Sequence, residues 1–259
     1  MIVLSILHIR SRQARLRKMH HAQCCGPAAR GGRVVRNGHY PALSQHDKAT
    51  IDVSARANGI KYGMATESSY TIAPLNSETW SAFDALVQRH NGIFGGCWCI
   101  WFHPDGPERG QSAEANRALK KAYVEQGKAH AALVMDGDEA IAWAEYGTPV
   151  ELPTLHHRKE YDATKTADPD YRITCVFVDR RHRRQGVTEL AIAGALDLIA
   201  QAGGGRVESY PHDLTNQTKK MSSSFLYNGT RRLYERLGFT YDRPKGLKNC
   251  VMVKTVDPA

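Results

Sequence analysis

The chain has 259 residues, 35 Lys and Arg against 26 Asp and Glu, and a formal charge of +9. That length supports one core of about 200 residues plus an appendage, with no need of a disulfide or metal staple. With 42% apolar and 24% charged residues the chain is neither wholly disordered nor collagen-like, and its longest apolar run falls far short of the ~20 residues of a membrane span.

Residues 1–63 carry eleven Lys and Arg and only two acids, Asp47 and Asp52, so the entire surplus lies there and residues 64–259 hold 24 bases and 24 acids. After Leu7 this segment has no sustained helical or alternating apolar period. It reads as a basic, disordered extension, with an organellar transit peptide, or an upstream stretch before a start at Met64, as the alternatives. No basic residue precedes the short apolar run Met1–Leu7, which argues against a secretory signal. The six cysteines lack the spacing of a secreted disulfide framework, so a reducing, cytoplasmic compartment is expected. Residues 64–259 are expected to form one domain.

Along this body, Thr71–Leu75 reads as a short extended segment. Asn76 or Ser77 can cap a helix in which Trp80, Phe83 and Val87 recur at helical spacing, ending near Asn91-Gly92. Gly95-Gly96 leads into Cys97–Phe102, a bulky run that reads as a strand, and His103–Gly110 is loop. Ser112 can cap the next helix, with Ala115, Leu119, Ala122 and Tyr123 as its buried stripe. Ala131–Met135 and Ala140–Tyr146 flank Asp136-Gly137-Asp138-Glu139, a hairpin signal. Residues 147–170 read as a long polar loop, functional or mobile at that length. Arg172–Val178 is an apolar strand, Asp179–Gln185 a basic turn, and Val187–Ala202 a helix closed by three glycines. Arg206–Tyr210 is a strand, Ser222–Leu237 a helix opened by Ser222–Ser224, and Phe239–Asp242 and Asn249–Val256 are the last strands. The order predicts one mixed α/β domain built on a twisted sheet.

The chemistry concentrates in Val176-Phe177-Val178-Asp179-Arg180-Arg181-His182-Arg183-Arg184-Gln185-Gly186-Val187-Thr188. A buried strand delivers the chain into a turn with four arginines, a glycine allows close backbone approach, and a helix begins at once. Free N–H groups and the positive dipole end at such a helix start suit a pyrophosphate. The segment resembles the GNAT superfamily of acetyl-coenzyme-A-dependent N-acetyltransferases, whose signature is Arg/Gln-x-x-Gly-x-Gly/Ala between a strand and a helix. Arg183-Arg184-Gln185-Gly186-Val187-Thr188 matches it except at Thr188, which replaces a small residue. Tyr234-Glu235-Arg236-Leu237-Gly238-Phe239 resembles the tyrosine four residues before Gly-Phe in many members, and the element order agrees over about residues 70–256.

The resemblance implies a GNAT-type fold and direct transfer of acetyl from coenzyme A to an amine. A split between two parallel strands near Phe177 and Tyr210 would receive the pantetheine arm. Backbone N–H of Val176 or Phe177 would polarise the thioester carbonyl, with Val178 and residues 183–188 completing the coenzyme contacts. Tyr234 could protonate the departing thiolate. Many relatives place a Glu on the strand before the Arg-rich turn, but Tyr171–Val178 has no carboxylate. Glu145 is then the best candidate base, with a water relay through Asp170 or Glu160, or an acceptor arriving unprotonated, as alternatives.

Other features read blandly. Cys97 and Cys99 share a strand face, but Cys175 and Cys250 are single, so no metal is expected. His156-His157 reads as an exposed loop pair, Lys219-Lys220 as solvated loop, and Arg180–Arg184 as a phosphate site rather than a nucleic-acid patch. The acceptor is expected to be a small-molecule or peptide amine, with no nucleic-acid or membrane partner. A non-catalytic module that binds acyl-coenzyme A is the alternative function. A nucleic-acid-binding role of the basic tail is a third.

Overall fold

The structure, a computed structural model, describes residues 70–106, 112–215, 221 and 225–259. The readings for residues 1–63, Lys219-Lys220 and Ser222–Ser224 fall outside these. Strand β1 (Thr71–Pro74) enters helix α1 (Trp80–Arg89) through a turn in which the Asn76 side chain accepts the N–H groups of Glu78 and Thr79. Helix α2 (Ala113–Glu125) opens on the Ser112 hydroxyl, which accepts the Ala115 N–H at 3.2 Å. Strands β2 (His130–Asp136) and β3 (Glu139–Gly147) form the expected hairpin, turning at Gly137 with φ +58°. Then follow α3 (Arg158–Thr164), β4 (Tyr171–Val178), α4 (Val187–Gln201), β5 (Gly205–Ser209), α5 (Arg231–Arg236), β6 (Thr240–Lys245) and β7 (Asn249–Val256).

Among the described residues the strands form a seven-stranded sheet in the order β1-β2-β3-β4-β5-β7-β6. All neighbours are antiparallel except β4 and β5. Because side chains alternate along a strand, the sheet buries a core on each face. On one, Ala191, Ile192, Ala195 and Ile199 of α4 and Tyr234 of α5 pack on Ala142, Ala144, Val176 and Val207. On the other, Phe83 and Val87 of α1 pack on Leu133, Trp143 and Phe177. Each fully buried Val, Leu, Ile or Phe among these contributes about 1.5 to 3 kcal/mol. A Cβ on Gly194 would come within 2.7 Å of Ile72, so a glycine lets α4 approach β1.

Three elements differ from the sequence reading. Residues 97–102 are successive turns, not a strand: Trp98 and Cys99 take φ +48° and +54°, although Trp98, Cys99, Ile100 and Phe102 are buried as a bulky strand's residues would be. Helix α3 lies inside the segment read as loop, and its single buried residue, Tyr161, leaves no period to detect. Helix α5 begins only at Arg231, because Gly229 at φ +69° breaks the chain before it. The buried stripe of α2 is also rotated: Ala115 is exposed, while Lys120 and Val124 are buried.

Candidate active site

Strands β4 and β5 pair only from Tyr171–Ile173 to Val207–Ser209 and then separate. The cause is local. Glu145 of β3 faces Cys175 and Tyr146 faces Ile173, leaving Thr174 as an extra residue in β4. Such a bulge bends its strand, and Pro211 stops β5 just past Tyr210. The divergence thus starts nearer the base of the strands than Phe177.

Segment Tyr227–Asn228 spans the gap. The Val176 N–H donates to the Tyr227 carbonyl at 2.6 Å, and the Asn228 side-chain amide donates to the Tyr210 carbonyl at 3.3 Å. The Val176 N–H faces the gap as expected, but it already has an acceptor. Strand alternation puts the Phe177 N–H toward β3 and that of Val178 on the same side as Val176.

Beyond β4, Asp179 is buried and accepts the Arg181 N–H at 2.9 Å. Its hydrogen bonds from Arg181 hold the carboxyl far below its ordinary range. Arg181 is committed to Asp179 and to Glu139. The other three arginines, Arg180, Arg183 and Arg184, line a cleft of about 530 Å³ with Val176, Phe177, Val178, Thr188, Tyr227 and the residues His90, Asn91 and Ile93–Gly95 that follow α1. None of these three has a carboxylate within ion-pair distance among the described residues. Arg184 and Gly186 are left-handed, at φ +66° and +79°, and no atom lies within 4 Å of where a Gly186 Cβ would sit. Glycine there supplies the backbone turn and an open approach. Gly186, Val187 and Thr188 start α4, so their N–H groups have no partner within the helix. Of the remaining candidates, the Val187 side chain is in the core and Gln185 bonds Tyr70 and the Arg181 carbonyl. Those two offer backbone only.

Tyr234 is fully buried against Phe239, ring centroids 5.0 Å apart, and like Glu145 does not line the cleft. Its hydroxyl lies beside Ser209, the last β5 residue paired to β4, without a hydrogen bond of good geometry. Burial pushes its pKa up, so the phenol keeps its proton.

Glu145 is 1% exposed and does not reach the cleft. Lys120 Nζ donates to Oε1 at 2.7 Å and Thr174 Oγ1 to Oε2 at 2.7 Å. Lys120 also reaches His103 Nε2 at 3.1 Å and the Cys99 carbonyl at 3.4 Å. Burial opposes the charge of Glu145, but Lys120 and His103 outweigh it and hold the pKa down at about 2. A carboxylate so engaged is a poor proton acceptor near neutral pH. It ties α2 and the 97–103 turns to the bulge of β4. Around it Cys97, Cys99 and Cys175 are free thiols, pushed up mainly by burial in the first two. Among the described residues no group of three His, Cys, Asp or Glu could hold a metal, and no helix is long and apolar enough to cross a membrane.

No family model and no curated protein matches the chain. Solved structures similar to it include an acetyltransferase described as of the GNAT family from Desulfovibrio desulfuricans, at 16% identity and TM-score 0.43, covering 72% of this chain and 99% of that one. The ribosomal-protein-S18-alanine N-acetyltransferase from Escherichia coli has 13% identity and TM-score 0.38, covering 73% and 96%. A ribosomal L7/L12 α-N-protein acetyltransferase in complex with coenzyme A has 13% identity and TM-score 0.42, covering 73% and 96%. Likeness at this level does not assign an activity to this chain.

Proposed function

We propose that residues 64–259 form a GNAT-type N-acetyltransferase that moves acetyl from acetyl-coenzyme A directly to an amine. The observation that carries this is the convergence of Arg180, Arg183 and Arg184, without carboxylate partners among the described residues, on the left-handed turn that starts α4. Three uncompensated guanidinium groups at a helix start favour a polyanion, and a pyrophosphate with a further phosphate fits them. The diverging strands beside them suit the pantetheine arm, whose amide carbonyl the Val178 N–H can bind. Acetyl-coenzyme A supplies the activated thioester.

The acceptor nitrogen attacks the carbonyl carbon, the C–N bond forms, the C–S bond breaks and the amine proton leaves to solvent or to a water relay. The Val176 N–H can stabilise the developing oxyanion once the Tyr227 carbonyl gives way. Tyr234 is assigned as the acid for the departing thiolate. Tyr234→Phe is expected to lower kcat about a hundredfold while leaving coenzyme affinity unchanged. Removing the poorly partnered hydroxyl should leave thermal stability equal or slightly higher. Full rate in the variant assigns the proton to water.

The reading is tested on the full chain by thermal stabilisation with acetyl-coenzyme A, followed by thiol release in the presence of amines. Stabilisation and release are expected together; no stabilisation ends the proposal. A non-catalytic acyl-coenzyme A module is the second reading, favoured by the occupied Val176 N–H and by the cleft having no carboxylate among the described residues that line it. Stabilisation without release across amino acids, polyamines, aminoglycosides and peptides would select it.

A further inference from the structure

The face of the sheet under α3 carries charge that the coenzyme site does not use. Along β5, Val207 joins the core under α4 and α5, while Glu208 and Tyr210 face α3. The β5–β7 and β6–β7 registers place Lys245, opposite Asn249, at the end of the sheet where β4 and β5 separate. Lys245 is 3% exposed, and its ammonium lies 5.0 Å over the ring of Tyr210, the residue at the mouth of the gap. Among the described residues it has neither a hydrogen-bond acceptor nor a carboxylate within 4 Å.

Its surroundings do not supply one. Glu208 Oε2 accepts the hydroxyls of Tyr161 and Tyr210 at 2.7 and 3.0 Å, and Oε1 faces Arg206 and Arg243 at 3.7 and 3.8 Å. Arg243 is paired to Asp242 as well, yet its Nε and Nη2 are buried without acceptors, as is Arg172 Nε. Arg172 donates to the Leu152 carbonyl and has no carboxylate partner among the described residues. The neighbouring histidines add no charge to this excess. Burial and then Lys245 lower the pKa of His156, and burial, Lys248 and then Lys245 lower that of His212, so both favour the neutral form. His156 in turn stacks on Trp101 at 4.0 Å and lies 6.2 Å from the ring of Tyr227. Burial pushes Lys245 itself down to about 8, with Glu160 and Glu208 acting in the other direction. The Lys245 stem is buried but its Nζ is not sealed from solvent, so an anion arriving at the gap can reach the ammonium, which a fully desolvated, unpaired charge would not allow.

We propose that Lys245, with the orphaned guanidinium donors of Arg172 and Arg243 behind it, binds an anionic group of the acceptor, so that the acceptor is an amine that also carries a carboxylate or a phosphate. This rests on the acetyltransferase reading for the amine, but not for the anion site itself. Held at Lys245, such a molecule places its amine toward Tyr210, Tyr227 and the gap. The cationic groups of Lys245, Arg172 and Arg243 disfavour polyamine acceptors.

The test uses the full chain and the variants Lys245→Met and Lys245→Arg. Thiol release from acetyl-coenzyme A is compared for matched pairs, glycine against glycinamide and phosphoethanolamine against ethanolamine, which separates carboxylate from phosphate. The anionic member of one pair is expected to have at least about tenfold higher kcat/KM. That ratio should collapse in Lys245→Met through KM and return in part in Lys245→Arg. A neutral amine used as well as its anionic partner, or a ratio that survives Lys245→Met, overturns the proposal.

A second readout needs no turnover: melting temperature in acetate or inorganic phosphate against chloride at equal ionic strength. Stabilisation that disappears in Lys245→Met supports the anion site even if no amine releases thiol, in which case only the transfer reading fails; equal stabilisation of both proteins overturns it. Without anions Lys245→Met should melt at least as high as the parent. A clear fall would show a structural lysine and overturn the assignment.

Discussion

A double variant Arg183→Gln/Arg184→Gln is expected to bind acetyl-coenzyme A at least about a hundredfold more weakly, since each lost guanidinium removes a charge-assisted contact to phosphate. Its fold should not suffer. Both side chains are exposed and neither has a carboxylate partner among the described residues, so their removal relieves repulsion with Arg180. At a coenzyme concentration of about a hundred times the parent Kd, ligand stabilisation should fall from about 2.7 to about 0.4 kcal/mol. Affinity of the parent should weaken with salt more steeply than that of the variant. Arg181→Gln is the contrasting control. It breaks the contacts to Asp179 and Glu139 and should loosen the turn while its side chain takes no direct part in phosphate binding. Retained stabilisation in the double variant, measured by thermal shift or calorimetry, would move the coenzyme elsewhere.

That contrast marks how far the basic turn was legible. Four arginines before a glycine and a helix can be read directly as a strand–turn–helix junction with unpartnered backbone groups, because the residue types and the element order determine which N–H groups lack partners. Which arginine turns away is decided by Asp179, drawn in beside β3 and α1, and by Glu139 across the hairpin. No local pattern carries that. The strands β2, β3, β4 and β7 and the helices α1 and α4 were legible from period and turn chemistry, since each buries one face or two against elements that the period alone implies. Residues 97–102 were not. Their bulky side chains are buried as a strand's would be, but left-handed Trp98 and Cys99 are held by tertiary contacts, among them the Lys120 ammonium at the Cys99 carbonyl. Lys120 and Lys245 were invisible for the same reason: a lysine within an amphipathic segment reads as solvated until a partner, or the absence of one, is seen.

The buried pair Lys120–Glu145 should be the most sensitive point of the fold. Glu145→Leu leaves the Lys120 ammonium buried with only His103 and a distant carbonyl, and is expected to cost about 3 to 5 kcal/mol, a fall in Tm on the order of 10 °C. Lys120→Met strands the carboxylate instead and should cost a similar amount. The double variant Lys120→Met/Glu145→Leu, with no charge left to desolvate, should recover most of the loss. Acid titration gives an independent sign. The folded pKa of Glu145, about 2, lies below its ordinary 4.5. Its contribution is therefore complete above about pH 4.5 and lost as pH falls toward 2, a slope that the double variant should lack when unfolding is followed against pH. If the double variant is as unstable as either single one, packing rather than charge dominates the site. Recovered stability would not restore function, because Thr174 loses the acceptor that pins the β4 bulge. With the divergence of β4 from β5 no longer fixed, the double variant should melt close to the parent yet bind acetyl-coenzyme A more weakly. Unchanged affinity would show that the bulge holds its shape without the ion pair.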